Sequence, residues 1–259
     1  MVTGAITELW RYPVKSLQGE PLSATALTDV IPGDRGWGVV DSDTGYLMSA
    51  KRHPALLSGR ARLDGERCVI TLPDGSEITA DDSRVHAVLS DWLGQPVRLA
   101  TPEAHHTAMI EIELDEGLDE EGELPVSEFA TQPGWFYDST SSLHIISTGT
   151  LDHVSAEVGP DAGAVTRFRP NIVVELASPF EEERWVGEVI RLGSATARVK
   201  KPTDRCVVIT RAQPAFAASR DTLRFLARAN DRNAGISAQP REAGTVAVGD
   251  AIEVARSHR

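Results

Sequence analysis

One cysteine, Cys206, has neighbours that could change its chemistry. Three cations precede it within six residues, in the run Lys200-Lys201-Pro202-Thr203-Asp204-Arg205. Nearby cations lower the pKa of a thiol and favour the thiolate, the form that binds metals and attacks electrophiles. The apolar run 206–210 predicts a strand that Cys206 opens, where a cysteine also packs well as a small hydrophobe. Spacing alone leaves both hypotheses open, a reactive or metal-binding thiolate and a packing residue.

The second cysteine, Cys68, lies in the middle of a predicted strand between Arg67 and Val69, and we expect it to pack in a core. Two cysteines cannot make a disulfide scaffold, and this usage favours a reducing compartment. The sequence contains no Cys-x-x-Cys pair. An iron–sulfur cluster or a structural zinc site of the usual spacing is therefore excluded.

Four short segments carry side chains or backbone groups that could bind an anion. Guanidinium groups match phosphate geometry, and the junction of a strand with a helix offers free N–H groups and the helix dipole. Each segment is weak evidence alone, because a surface arginine or a helix cap looks the same. Together they predict a phosphate-bearing ligand near Cys206. The segments are Lys15-Ser16, Asp34-Arg35-Gly36, Ser147-Thr148-Gly149-Thr150 and Arg167-Phe168-Arg169-Pro170-Asn171.

Short strands separated by tight turns dominate the first 100 residues. Alternating apolar residues predict strands over 4–14, 22–28 and 37–41, and a meander over 63–78 divided by Asp-Gly turns. Residues 84–93 predict a short helix, with Asp81 or Asp82 as its cap and Gly94 at its end. This pattern is typical of a small barrel or an open sheet.

The second half of the chain mixes strands with helices. Strands are predicted over 143–146, 171–176, 189–192 and 195–199, with a strand–turn–strand over 246–254. Helices are predicted over 151–158 and 221–229. His144, in the first of these strands, either lines a pocket or is a hydrogen-bonded core histidine. The expected fold class is a mixed, β-rich α+β protein.

The charge is distributed unevenly. The net charge is −12, yet no Lys or Arg occurs between Leu99 and Thr166, where 14 acidic residues fall, ten of them between Glu103 and Glu128. This block is either a solvated surface segment or a docking surface for a basic electron-transfer partner. The lack of a concentrated basic stripe disfavours nucleic-acid binding. The stretch 101–137 also lacks periodicity and predicts a connection between a domain 1–100 and a domain 138–259.

No apolar run approaches the roughly 20 residues that span a bilayer. The first residues lack a basic segment followed by an apolar one, so no signal peptide is predicted. With the cysteine usage, this favours a cytoplasmic protein without a membrane partner.

Several motifs resemble a known family. The segments Trp10-Arg11-Tyr12-Pro13-Val14-Lys15-Ser16 and Gly33-Asp34-Arg35-Gly36-Trp37 resemble the β-barrel domain that precedes MOSC domains. Downstream, Phe168-Arg169-Pro170-Asn171-Ile172 and Thr203-Asp204-Arg205-Cys206 resemble the MOSC domain itself. The family includes the C-terminal domain of molybdenum cofactor sulfurases and the amidoxime-reducing components. The resemblance implies an N-terminal β-barrel domain and a MOSC β-barrel domain with flanking helices, with the site where they meet.

The resemblance also implies a role for each matching residue. Cys206 would bind the molybdenum of a molybdopterin cofactor, a metal centre that soft sulfur suits. The pterin phosphate would be held by Lys15, Ser16 and Arg35. Ser147, Thr148, Thr150, Arg169 and Asn171 would add contacts to the pterin or its phosphate, while Thr203, Asp204 and Arg205 would shape the loop at the metal ligand.

The implied reaction is the reduction of an N–O bond in a small N-hydroxylated molecule, with Asp138 relaying protons. Because the chain has no cysteines for a cluster, electrons would come from a separate protein, possibly one that docks on segment 103–128. An alternative is a non-enzymatic carrier of the cofactor or of its sulfur. A third hypothesis is a fold without metal whose Cys206 carries a persulfide or reacts with a thiol-containing substrate.

Overall fold

The structure, a computed structural model, describes residues 2–102, 107–111, 126–130, 134–135 and 141–255. The chain divides into two compact units. The barrel unit comprises Met1–Arg11, Glu20–Pro32 and Thr140–Arg259. The second unit comprises Tyr12–Gly19 and Gly33–Ser139.

Seven strands of the barrel unit form a closed barrel in the order β12-β11-β15-β14-β13-β17-β1, and β1 pairs back to β12. Strand β2 pairs with residues 9–11 at the end of β1, beyond the residues that pair with β17, and β3 pairs with β16 in a separate two-stranded sheet. Among these pairings only β11 with β12 is parallel. The strands are β1 (Val2–Arg11), β2 (Glu20–Leu22), β3 (Ala24–Leu27), β11 (Leu143–Ser147), β12 (Ile172–Val174), β13 (Val189–Leu192), β14 (Ala195–Asp204), β15 (Asn233–Glu242), β16 (Gly244–Ala247) and β17 (Ala251–Ala255).

The barrel interior follows from the alternation of side chains along each strand. In β14, Ala195, Ala197 and Val199 are buried, whereas Arg198 and Lys200 are exposed. Small residues leave room for the larger side chains of facing strands, as a narrow barrel requires. Ile6, Leu9, Ile145, Ile190 and Ile236 are almost fully buried in the same core. Each such side chain contributes roughly 1.5–3 kcal/mol by leaving water.

Barrel closure depends on a close approach of β1 to β12. Ile6 pairs with Val174 and Leu9 with Ile172. A Cβ atom at Gly4 would lie 2.4 Å from the carbonyl oxygen of Glu175, so glycine permits this approach. Residues more than 160 positions apart in the chain therefore complete one sheet.

Three helices and two 3₁₀ helices cover one part of the barrel. The three helices and one of the 3₁₀ helices, Val207–Thr210, pack on a second core that includes Ile146, Leu151, Phe168, Ile209 and Leu226. Trp185 of the other 3₁₀ helix is buried in the barrel core. The helices are α2 (Thr148–Val158), α3 (Val165–Phe168) and α4 (Arg220–Asn230), and the 3₁₀ helices are Glu181–Trp185 and Val207–Thr210. The strand predicted over 206–210 is therefore wrong. Residues 207–210 turn tightly and pack on α3 and α4 instead of continuing the sheet.

The second unit is built from short antiparallel strands and one helix. β4 pairs with β8, β9 with β10, and β5-β6-β7 form a meander. Cys68, in β6, is buried in the core, as predicted. The elements are β4 (Gly38–Asp41), a 3₁₀ helix (Pro54–Ser58), β5 (Arg60–Asp64), β6 (Arg67–Thr71), β7 (Glu77–Thr79), α1 (Val85–Leu93), β8 (Val97–Ala100), β9 (Thr107–Glu111) and β10 (Val126–Ala130).

The predicted fold class is confirmed, a β-rich protein with a barrel and flanking helices. The division of the chain differs from the predicted boundary at the N-terminus. Residues 1–11 and 20–32 belong to the barrel unit, because β1 pairs with β12 and β17. In the described part of the chain, no helix is both long and apolar enough to cross a membrane.

Candidate functional site

Cys206 lies at the turn that ends β14. Its backbone is extended, with φ −107° and ψ 176°, and its carbonyl oxygen accepts a hydrogen bond from the N–H of Ile209 at 3.3 Å. The residue is half-buried, and its thiol is not in a disulfide. A half-buried thiol at a strand end is accessible to a ligand, unlike the thiol of Cys68 within its core. This position favours the metal-ligand hypothesis over the packing hypothesis.

The guanidinium of Arg205 connects the Cys206 turn to two neighbouring segments. Its Nη2 donates to the carbonyl oxygen of Phe168 at 2.7 Å, and its Cζ lies 5.3 Å from the centre of the Phe168 ring. Its Nη1 lies 3.2 Å from Nε2 of His144 in β11. The backbone N–H of Arg205 donates to the carbonyl oxygen of Arg232 at 2.9 Å. Arg205 therefore connects the Cys206 turn with Phe168, His144 and Arg232.

Arg167 holds the segment on the other side of Cys206. Its side chain is buried and donates to four carbonyl oxygens, those of Asp161 at 2.7 Å, Ile209 at 3.1 Å, Arg211 at 3.1 Å and Ala217 at 2.7 Å. Burial lowers the pKa of the guanidinium from its ordinary value, and the Asp161 carboxylate opposes that shift. An arginine stays protonated in proteins. Arg167 is therefore a buried cation whose hydrogen bonds go to backbone carbonyl oxygens. The sequence had suggested an anionic ligand as its partner.

The other two polar residues of that motif differ in their surroundings. Arg169 is half-buried and has a left-handed backbone, with φ 54° and ψ 47°. Asn171 is buried, and its Oδ1 accepts from the N–H of His144 at 3.2 Å while its Nδ2 donates to the carbonyl oxygen of Trp10 at 3.3 Å. The Asn171 amide thus connects β11 with β1 across the barrel closure. Arg169 is the more exposed residue of this pair.

Thr203 and Asp204 form the last residues of β14. The Thr203 hydroxyl lies 2.9 Å from the hydroxyl of Ser237, which fixes the strand end to β15. Asp204 pairs with Arg232 at 3.5 Å, with both side chains largely exposed. An exposed ion pair of this kind contributes little to stability, about 0–1 kcal/mol.

The hydroxyls at the start of α2 already have an anionic partner. Glu182 is fully buried, and its carboxylate accepts from Oγ of Ser147 at 2.7 Å and from Oγ1 of Thr150 at 2.9 and 3.1 Å. The backbone N–H of Ser147 also donates to it at 3.2 Å. The Thr148 hydroxyl instead donates to the carbonyl oxygen of Leu176 at 3.1 Å. The anion at this helix start is therefore an internal carboxylate, and each of the three hydroxyls already donates to an acceptor within the protein.

Lys15, Ser16 and Arg35 lie together in the second unit. Nζ of Lys15 donates to the carbonyl oxygen of Trp135 at 2.7 Å, and the N–H of Trp135 donates to the carbonyl oxygen of Arg35 at 3.0 Å. Arg35 is also paired with Asp34, and its Cζ lies 5.1 Å from the centre of the Tyr12 ring. The structure thus brings together the two cations that the sequence places 20 residues apart.

Strained backbone marks three of the predicted cofactor residues. Ser16, Arg35 and Arg169 have φ values of 70°, 51° and 54°. Only three other described non-glycine residues, Phe180, Asp231 and Arg232, have positive φ. Such conformations cost of order 1–3 kcal/mol and concentrate at functional sites. The sequence contains no local signal for this strain.

The remaining predicted features lie mostly outside the described residues. Asp138 is outside them, as is most of the acidic segment 103–128. Among the residues that the structure describes, no three His, Cys, Asp or Glu side chains are close enough to hold a metal ion together. Sequence reasoning missed Glu182 and Arg232, because neither lies in a motif and both act through partners distant in the chain.

Comparisons with known proteins agree with the motifs. The family described as MOSC domain matches residues 121–253, and the MOSC N-terminal beta barrel domain matches residues 3–98. Mitochondrial amidoxime-reducing component 1 of Homo sapiens is 24% identical over 237 residues, which cover 80% of this chain and 66% of that protein. Mitochondrial amidoxime reducing component 2 of Rattus norvegicus is 23% identical over 228 residues, with the same coverage. The chain thus spans just under two thirds of the length of these relatives.

The chain is also similar to a sulfurase and to a protein of known structure. Molybdenum cofactor sulfurase of Bos taurus is 24% identical over 264 residues, covering 88% of this chain and 29% of that protein. Among solved structures, the YUAD protein from Bacillus subtilis aligns with a TM-score of 0.48 and 14% identity, covering 98% of this chain and 96% of that one.

Proposed function

Because the chain belongs to the MOSC domain family, we propose that it binds a molybdenum–pterin cofactor through Cys206 and reduces N-hydroxylated small molecules. The observation that carries the proposal is the placement of Cys206, a half-buried thiol at a strand end. Arginines hold the chain on both sides of it. Relatives named for amidoxime reduction support the choice of substrate class.

The donor set suits such a cofactor. Thiolate sulfur is a soft ligand of the kind that redox-active metal centres accept, and the Cys206 sulfur is not in a disulfide. Arg169, half-buried with a left-handed backbone, is proposed to contact the pterin. Lys15, Ser16 and Arg35 are proposed to bind its phosphate, since cations and hydroxyls recognise phosphate oxygens. When bound, the group would supply two-electron redox chemistry with transfer of an oxygen atom.

The proposed reaction breaks the N–O bond of the substrate. Two electrons come from a separate donor protein, two protons are taken up, and the oxygen leaves as water. Cys206 holds the metal, and Arg205 and Arg167 keep the flanks of Cys206 in place. Asp138 remains a proposed proton relay.

Metal analysis tests the cofactor assignment. Protein purified from a host that makes the cofactor is expected to contain molybdenum and pterin in equal amounts, and Cys206→Ala is expected to lose the molybdenum. Cys68→Ala is the matched control, because that thiol is buried in the core of the second unit, and it should keep the metal. Molybdenum that persists in Cys206→Ala would exclude Cys206 as the ligand.

Turnover separates the enzyme from a second candidate, a carrier of the cofactor or its sulfur. The similarity to a molybdenum cofactor sulfurase favours this alternative. Benzamidoxime and an artificial electron donor are added to metal-loaded protein, and the amidine product is measured. Multiple turnovers support the reductase. A loaded protein that makes no amidine but delivers its cofactor to an apo-enzyme supports the carrier.

A further inference from the structure

His144 makes two contacts through one ring nitrogen. One contact requires that nitrogen to accept a hydrogen bond, and the other requires it to donate one. Its Nε2 lies 3.2 Å from Nη1 of Arg205 and 3.3 Å from the carbonyl oxygen of Ala234. A guanidinium can only donate hydrogen bonds, and a carbonyl oxygen can only accept them. One nitrogen atom therefore cannot hydrogen-bond to both at once. The protonation state of Nε2 determines which contact is a hydrogen bond.

The charge of Arg205 resolves this competition. A hydrogen on Nε2 would point at a cation that has no acceptor, whereas a lone pair on Nε2 accepts a charge-assisted hydrogen bond. Such bonds are about twice as strong as neutral ones. The favoured form is thus neutral His144 with its hydrogen on Nδ1, so that Nε2 accepts from Arg205.

The fold makes room for this arrangement at Gly235. A Cβ atom there would lie 2.6 Å from Nε2 of His144 and 2.5 Å from the carbonyl oxygen of Ile145. Gly235 also has φ 79°, a conformation that glycine adopts without strain. The imidazole therefore lies against backbone that only a glycine allows.

From this geometry we propose that His144 is a positioning residue. As its Nδ1–H tautomer it holds the guanidinium of Arg205, and through Arg205 it sets the backbone turn that carries Cys206. Arg205 has two further anchors, the carbonyl oxygen of Phe168 for its side chain and that of Arg232 for its backbone N–H. The tautomer of His144 and its effect on the Cys206 turn do not depend on any catalytic activity. The expected effect on turnover rests on the proposed function.

The tautomer is measured directly by nitrogen NMR of protein labelled at histidine, at roughly pH 8, above the ordinary histidine pKa of about 6.5. His144 is expected to be Nδ1–H in the wild-type protein. In Arg205→Met it should change to Nε2–H, because the cation is gone and the Ala234 carbonyl oxygen, 3.3 Å from Nε2, can accept that hydrogen. His86 is the internal control, since its Nδ1 accepts from the N–H of Leu99 at 3.1 Å and its hydrogen is therefore expected on Nε2 in both proteins.

Hydrogen exchange tests the effect on the turn. His144→Leu removes the acceptor, whereas His144→Gln offers an amide oxygen near the place of Nε2. The amide hydrogen of Arg205 is expected to exchange about tenfold faster in His144→Leu, because one charge-assisted hydrogen bond is lost. In His144→Gln it is expected to exchange at the wild-type rate, because that bond is kept. An Nε2–H tautomer in the wild-type protein, or equal exchange in both variants, would overturn the proposal.

Kinetics then connects the residue with the proposed function. In metal-loaded protein, His144→Leu is expected to lower kcat about tenfold with little change in KM, and His144→Gln to restore most of it. Wild-type protein without molybdenum would refute the proposed function while the tautomer and exchange results still decide the inference. A loaded wild type with kcat unchanged in His144→Leu would refute the positioning role alone.

Discussion

Replacing Arg167 with methionine should loosen the segment that follows Cys206. The substitution removes a buried cation together with the hydrogen bonds that it donates to four carbonyl oxygens. A buried acceptor that loses its donor costs about 1–3 kcal/mol. The desolvation cost of the removed cation offsets part of the sum over several acceptors, so we expect a loss of about 3–5 kcal/mol, a large share of the ~5–15 kcal/mol by which a domain is stable. At about 2–4 °C per kcal/mol for a chain of this size, the melting temperature should fall by about 6–20 °C.

Two measurements check this prediction. Urea unfolding gives the loss of free energy, and hydrogen exchange shows where the structure has opened. Amides of residues 207–217 should exchange faster in Arg167→Met, while those of Ile145 and Ile236 in the barrel should change less. Arg228→Met is the matched control, because Arg228 is exposed on α4, and it should shift stability by no more than about 0.5 kcal/mol. A loss below about 1 kcal/mol in Arg167→Met would show that the four bonds do not hold the segment.

Three further substitutions test other parts of the barrel unit. Burial raises the pKa of Glu183 above 4.5, opposed by a hydrogen bond from Asn230 and aided by Glu182. Stability from this carboxyl is present below its unfolded pKa and lost as pH rises through the folded value. Glu183→Gln should therefore unfold at higher urea than wild type at neutral pH but not near pH 4. Glu182→Ala removes the charged acceptor of two buried hydroxyls at the start of α2, those of Ser147 and Thr150, and should cost about 2–4 kcal/mol in the same assay. Gly235→Ala should lose more than Gly65→Ala in thermal melting, because both have positive φ but only Gly235 lacks space for a Cβ.

Local patterns in the sequence were sufficient for most secondary structure. The alternation of residues 189–192 and 195–199 predicted β13 and the start of β14, and both strands are observed. The helix predicted over 84–93 is α1, and Gly94 ends it with a left-handed backbone, φ 71°. The prediction was wrong at 206–210, where β-branched apolar residues form a 3₁₀ helix. Contacts with α3 and α4, which no local pattern contains, outweigh strand propensity there.

For the candidate site, the sequence identified side chains that can bind a metal or an anion. Their hydrogen-bond partners could be identified only from the tertiary structure. The types and spacing around Cys206 indicated a thiolate among cations, since charge and softness are properties of the residues themselves. Arg167, Ser147 and Thr150 were equally suited to an anion in sequence. Three of the four carbonyls that Arg167 binds lie 42–50 residues downstream. Ser147 and Thr150 bind a carboxylate 32–35 residues downstream.

Barrel closure also depends on contacts between residues far apart in the chain, because β1 and β12 pair across more than 160 residues. The sequence by itself determined which side chains donate, accept or bind a metal, together with the short-range periodicity that forms strands and helices. Only the tertiary structure decided which donors are already satisfied, and so which remain for a ligand. A hydrogen bond depends on distance and angle in space, and residues far apart in the chain meet only when the barrel closes.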